Sequence, residues 1–222
     1  MDLDTHANNT ILGSSCLLIH DTGWKVDVSG FSLVLWSIEL PIISGAVAYD
    51  HPITGKVYIL VFHQTIYCRQ MENHLKCPMQ CQMNGVVIND MPKMCIPNPD
   101  DSTHSIEVTN PLDPDSTLHI PLMLRGVTSC FCVRRPSTAE SADDDIPKLD
   151  MTYKSPEWDP GDPDWATQEA STMNSRGRVY DLDNVIARGF RFINLVSTSE
   201  QFADFTADDY FHGALQACVK VS

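Results

Sequence analysis

The sequence predicts a mainly β fold, and three observations carry that prediction. Lys56 to His63, read K-V-Y-I-L-V-F-H, is rich in the β-branched and aromatic side chains that suit a pleated, half-buried surface. Lys25 to Phe31 alternates polar and apolar residues, the period of two that sends successive side chains to opposite faces of a sheet. The apolar runs are short and bounded by turn chemistry, clearest at Asp50-His51-Pro52-Ile53-Thr54-Gly55 and at Asn84-Gly85.

Taken in order, Cys16 to His20 is an apolar strand ended by a turn at Asp21-Thr22-Gly23, and Lys25 to Phe31 is the next strand. Leu40 to Tyr49 is apolar and bounded by turns, and Lys56 to His63 returns after the hairpin loop. A short helix is expected around His74 to Met83, followed by a strand at Val86 to Ile88. Ser105–Val108, Leu118–Leu124 and Thr128–Val133 are further strands, separated by Asn110-Pro111 and Asp113-Pro114. Arg188 to Val196 is expected as a strand, and Phe205 to Val219 as a short helix with Thr206 as its N-cap.

The 222 residues carry 15 basic and 29 acidic groups, a net charge of −14. That balance argues against direct nucleic-acid binding, which needs clustered Lys and Arg, and against a polybasic membrane surface. The longest apolar run, Leu40 to Tyr49, falls well short of the roughly 18–20 residues of a spanning helix. Met1-Asp2-Leu3-Asp4 has neither a basic nor an apolar leader region, so an intracellular, cytoplasmic protein with reduced thiols is expected.

Charge and proline are unevenly spread. Glu140 to Asp164 holds 9 acidic and 2 basic groups, and ten of the 14 prolines lie between Pro97 and Pro163. Proline removes backbone donors and like charges repel, so Glu140 to Trp165 reads as an extended, poorly packed, disordered acidic linker. Trp158 and Trp165 are unusual in a spacer and read as anchors to a partner or to the folded part. The expected layout is a β domain over 1–95, a β-rich extension over 96–139, the acidic Pro-rich linker over 140–174, and a C-terminal segment of unknown fold over 175–222.

For chemistry, the sharpest local signal is Leu3-Asp4-Thr5-His6-Ala7. A carboxylate followed by a hydroxyl and a small residue, after an apolar position, is the loop type in which two aspartates share one proton and activate water. Asp21-Thr22-Gly23 spells a similar loop, but bulky Trp24 follows where a small residue is wanted, and a turn is the plainer reading. Cys68, His74, Cys77 and Cys81 form a weaker zinc alternative. Cys77 and Cys81 would share a helix face, but no second closely spaced pair follows, and buried cysteine packs as a small hydrophobe. No metal or other cofactor is expected. Phosphate-loop, dinucleotide, nucleophile-elbow and zinc-protease motifs do not occur.

The succession D-T-H-A, I-L-G-S-S-C-L-L-I-H-D, V-D-V-S-G-F and L-P-I-I-S-G-A-V-A-Y-D-H-P-I-T-G-K-V-Y-I-L-V-F-H-Q-T-I-Y, then N-H-L-K-C-P-M-Q-C, resembles the retropepsin-like protease region of copia-type retrotransposon polyproteins, in the variants common in diatom and fungal genomes. Ile66-Tyr67 and Asn73 to Cys81 fit the segment that follows the long strand in that family. Asp100 to His104, Ile120-Pro121-Leu122 and Gly126 to Ser129 also fit its layout.

The resemblance implies a closed β-barrel with one short helix and a homodimer acting on a polypeptide substrate. Asp4 would be the catalytic carboxylate, Thr5 would lock the two loops across the dimer axis, and Ala7 would keep the loop tight. His6 stands where the family usually has glycine, and Asn8 where an acid often follows. Only Met1-Asp2-Leu3 precede Asp4, so the strand that normally leads into the loop is expected to lie upstream. The chain reads as a truncated polyprotein fragment, inactive or nearly so by itself. The alternative is a non-catalytic retroelement remnant or protein-interaction module.

Overall fold

The computed structural model describes residues 1–28, 38–110 and 113–175. They divide into a unit ending at Pro160 and a second unit beginning at Gly161. The strand and helix expected over 188–196 and 205–219 lie outside the described residues.

The fold is mainly β. Two long strands, β4 (Ile38–Asp50) and β5 (Val57–Tyr67), pair antiparallel and form its centre. Both faces of this pair are covered. Ile43, Val47, Leu60 and Phe62 enter the main core, while Ala46, Ala48, Ile59 and Val61 form a second cluster on the opposite face. Burial on two sides explains why Val57 to Phe62 is nearly continuously apolar rather than alternating.

Against β4 runs β3 (Leu17–Val28), the edge of the sheet, and it is one strand rather than two. The turn expected at Asp21-Thr22-Gly23 is instead an irregularity inside it. Gly23 takes a positive φ of 79° and donates its N–H to Asp21 Oδ1 at 2.9 Å, while the Thr22 hydroxyl donates to the Ile42 carbonyl at 2.6 Å. The same residues that cap a tight turn here absorb a bulge, and pairing resumes at Lys25 opposite Pro41.

On the other side of β5 the sheet continues through very short strands, β2 (Ile11–Leu12), β6 (Leu75–Lys76), β1 (Asp2–Leu3), then β11 (Thr128–Cys130) and β10 (Met123–Arg125). The path runs from β10 to β3 and, among the described residues, the sheet is not closed into a barrel. A separate three-stranded sheet orders β7 (Val87–Asn89), β8 (Ser105–Asn110) and β9 (Asp113–Pro121). Its cross-strand pairs Ile106–Ile120 and Val108–Leu118 are buried in the main core.

The short helix α1 (Pro78–Gln82) begins with proline at its first turn, where the missing N–H costs nothing, and ends ahead of Gly85 at φ 78°. Gln80, fully inside, accepts from Thr10 N at 3.0 Å and donates to the Gln64 carbonyl at 3.1 Å. One side chain thus ties the helix to the residue just ahead of β2 and to Gln64 of β5, where the pairing with β4 shifts register.

The largest correction concerns the expected linker. Within it, α2 (Thr138–Ala142) is closed by a capping box between Ser137 and Glu140, and Arg134 joins Glu140 to Asp50. Next, β12 (Lys148–Asp150) adds to β5 in parallel, and Leu149 and Met151 are fully buried in the main core. Thr152 exchanges hydrogen bonds with the backbone of His63 at 2.7 and 2.8 Å, and the Trp158 indole donates to the Asn8 carbonyl at 2.9 Å. Two buried apolar side chains and these bonds outweigh the repulsion of the acidic residues, which stay at the surface. In the second unit, α3 spans Asp164–Ser175. No helix among the described residues is long and apolar enough to cross a membrane.

Candidate active site

Asp4 is placed by backbone geometry. β1 lies between β6, which it meets in parallel, and β11, which it meets antiparallel. The parallel pairing carries Asp2 N to the His74 carbonyl at 2.9 Å and Asp4 N to the Lys76 carbonyl at 3.0 Å. Beyond Asp4 the chain folds back, with Ala7 N donating to the Asp4 carbonyl at 3.2 Å and His6 N donating to Asp4 Oδ1 at 2.9 Å. The carboxylate keeps about a third of its surface open, at 32%. Thr5 and His6 are exposed, and their side chains approach at 3.5 Å, the outer limit of a hydrogen bond.

Asp4 opens onto a cavity of about 540 Å³, also lined by Asp2, Thr5, His6, Asp90 and Ser129. Asp2 is buried and ion-paired with Arg125. A second hollow of about 240 Å³ lies beside Thr5 and Ala7, against Pro78 and Met79 of α1. Asp90 borders both hollows. The cavity is acidic, so it favours neutral or cationic groups over anionic ones.

Of the other residues considered from sequence, Asp21 lies on the exposed irregularity of β3 and caps Gly23. It is not among the residues lining the Asp4 cavity. The four zinc candidates are not brought together as a site. Among the described residues no group of three His, Cys, Asp or Glu side chains is arranged to hold a metal. The imidazole of His74 has both nitrogens engaged, Nδ1 accepting from Gly13 N and Nε2 facing the Ser15 hydroxyl, each at 2.9 Å. Burial lowers its pKa to about 4, which keeps the ring neutral. Burial pushes the Cys77 thiol up and the Cys81 thiol up to about 11, so both pack as uncharged core groups.

Asp90, Ser129 and Asp2 were not singled out from the sequence as site residues. No local pattern marks them. Ser129 reaches Asp4 because β11 returns to pair with β1, placing Cys130 opposite Asp2 across well over a hundred residues, and Asp90, just past β7, meets Ser129 through its carbonyl. No protein-family model matches the chain, and neither a curated protein nor a solved structure matches it.

Proposed function

We propose that the chain is the aspartic endopeptidase unit of a copia-type retrotransposon polyprotein, with Asp4 as its catalytic carboxylate. The supporting observation is the Asp4 loop itself. It leaves a strand that is paired in parallel with a second strand entering a short helix, and it opens its carboxylate onto a cavity.

In this reading the chain works as a homodimer, each copy supplying one Asp4. Two adjacent carboxylates cannot both ionise, so they share one proton. The ionised member takes a proton from water as the water oxygen bonds to the peptide carbonyl carbon, and the protonated member donates to the carbonyl oxygen; the gem-diol then returns a proton to the pair as the C–N bond breaks and the pair protonates the departing amine. Thr5 holds the paired loops together. No cofactor is required. The proposal includes the closed barrel of that family, which the described strands leave open at β10 and β3, and an intracellular, cytoplasmic setting.

One observation favours a second reading. Asp4 Oδ1 is already engaged by the N–H of His6 in its own loop, as in an ordinary structural turn. That suits a non-catalytic remnant or interaction module. Autoprocessing separates the two, assayed for the parent chain and for its Asp4→Asn variant. The endopeptidase reading expects pepstatin-sensitive cleavage that Asp4→Asn abolishes. Cleavage that survives Asp4→Asn overturns the role of Asp4, and no cleavage in either form supports the remnant.

A further inference from the structure

Three histidines in this fold each meet a serine hydroxyl at 2.9 Å: His63 with Ser44, His74 with Ser15, and His104 with Ser129. They differ in what the pair can do. At His74 the ring is fixed with Nδ1 as acceptor from Gly13 N, so in the neutral ring Nε2 carries the hydrogen and donates to Ser15. That polarity cannot activate a serine. Ser44 lies buried at the bulge between β4 and β5 and lines neither of the two hollows described above. Ser129 alone of the three lines the 540 Å³ cavity.

The imidazole behind Ser129 is held by a built loop. Asp100 Oδ1 accepts from the N–H groups of Ser102 and Thr103 at 3.0 Å each, and Asn89 Nδ2 donates to the Ser102 carbonyl at 3.0 Å. The loop delivers His104 with a positive φ of 55°, a conformation that a non-glycine residue adopts at some cost. His104 is buried and its carbonyl accepts from Leu122 N at 2.8 Å, which fixes the residue against β9 and the start of β10. The Ser129 hydroxyl has two acceptors in reach, His104 Nε2 at 2.9 Å and the Asp90 carbonyl at 3.5 Å. The contact to the Asp90 carbonyl is at the outer limit of a hydrogen bond, so when the neutral ring carries its hydrogen on Nδ1 the hydroxyl donates to Nε2, the arrangement of a nucleophile and its base.

We propose that Ser129 and His104 form a nucleophile–base pair that makes this cavity competent for acyl transfer from neutral or cationic esters and amides. In the step, Ser129 Oγ bonds to the substrate carbonyl carbon as its proton passes to His104 Nε2. The carbon–leaving-group bond then breaks and the leaving group takes that proton, giving an acyl-serine. Water repeats the sequence and releases the acid. Burial holds the His104 imidazole below its usual pKa, opposed by the Asp90 carboxylate and reinforced by Lys93, so the ring is neutral and able to accept at pH 7. The Asp90 carboxylate also stabilises the imidazolium once it forms. The acidic residues around the opening exclude anionic acyl groups.

The inference does not rest on the Asp4 reading, because labelling and peptide cleavage are measured separately and either can fail alone. The test exposes the full chain to a fluorophosphonate probe and maps the adduct by mass. The Oγ–phosphorus bond forms, fluoride leaves, and the proton goes to His104. One adduct on Ser129 is expected, absent in Ser129→Ala and unchanged in Ser44→Ala. His104→Asn suits the test because asparagine tolerates a positive φ. It should slow labelling roughly a hundredfold while circular dichroism stays that of the parent. The parent's labelling rate should rise through a single ionisation on the acid side of neutrality, a readout that does not depend on any variant folding. An unlabelled folded parent, an adduct elsewhere, a flat pH profile, or a His104→Asn variant labelled at the parent's rate each overturns the proposal.

Discussion

The amine of Lys76 is fully buried, 5.9 Å from the centre of the Phe131 ring, and makes no hydrogen bond among the described residues. Its backbone carbonyl, by contrast, receives the N–H of Asp4. Burial lowers the pKa of the amine, so the unfolded chain binds its proton more readily than the folded one. Stability should therefore fall as the pH drops from the ordinary lysine range toward the folded pKa. Lys76→Met removes the buried amine and keeps most of the volume. It is expected to raise stability by about 1–3 kcal/mol at pH 7 and to flatten that alkaline slope, read from urea midpoints. His74 gives the complementary acid-side test. Its unfolded value near 6.5 drops to about 4 on folding, so the unfolded state takes up the proton first as the pH falls. Its contribution is present above about 6.5 and lost toward 4, a change of up to about 3 kcal/mol. His74→Gln should flatten the midpoint profile over that window, and an unchanged slope would contradict the assignment.

At the scale of elements, legibility followed length and burial. Lys56 to His63 announces most of β5 because a strand buried on both faces needs an apolar run, while the more polar end through Tyr67 does not register in composition. The two-residue strands β1, β2 and β6 hold Asp4 and the start of α1 in place, yet two residues carry no period to read. Asp21-Thr22-Gly23 has the side chains of a turn, and whether they close a hairpin or fill a bulge is decided by β4 alongside, through the Ile42 carbonyl. The Asp4 loop stands out in the sequence because it has a local signature; Ser129, which lines the same cavity, does not, because long-range pairing of β11 with β1 brings it there. β12 was hidden by its neighbours. Lys148-Leu149-Asp150-Met151-Thr152 does alternate, but average charge and proline content mask two apolar residues. They carry the docking of the whole segment, so Leu149→Ala should cost about 2–5 kcal/mol. It should also loosen residues 148–158 in hydrogen exchange before the rest of the sheet opens. A variant as stable as the parent would show that the segment does not bind through this side chain.

For the molecule as a whole, the net charge of −14 is partly a property of Glu140 to Asp164, whose acids remain outside while Leu149 and Met151 enter the core. A single chain presents one Asp4 to the 540 Å³ cavity, so the shared-proton chemistry proposed for it requires a second copy. That requirement makes the dimeric mechanism measurable as a concentration dependence. The deciding measurement is the rate of peptide cleavage per molecule against protein concentration, for the parent chain and for the same chain with Asp4→Asn. Specific activity should rise with concentration as dimers form and vanish in the variant. Cleavage independent of concentration, or retained when Asp4 is replaced, would contradict it.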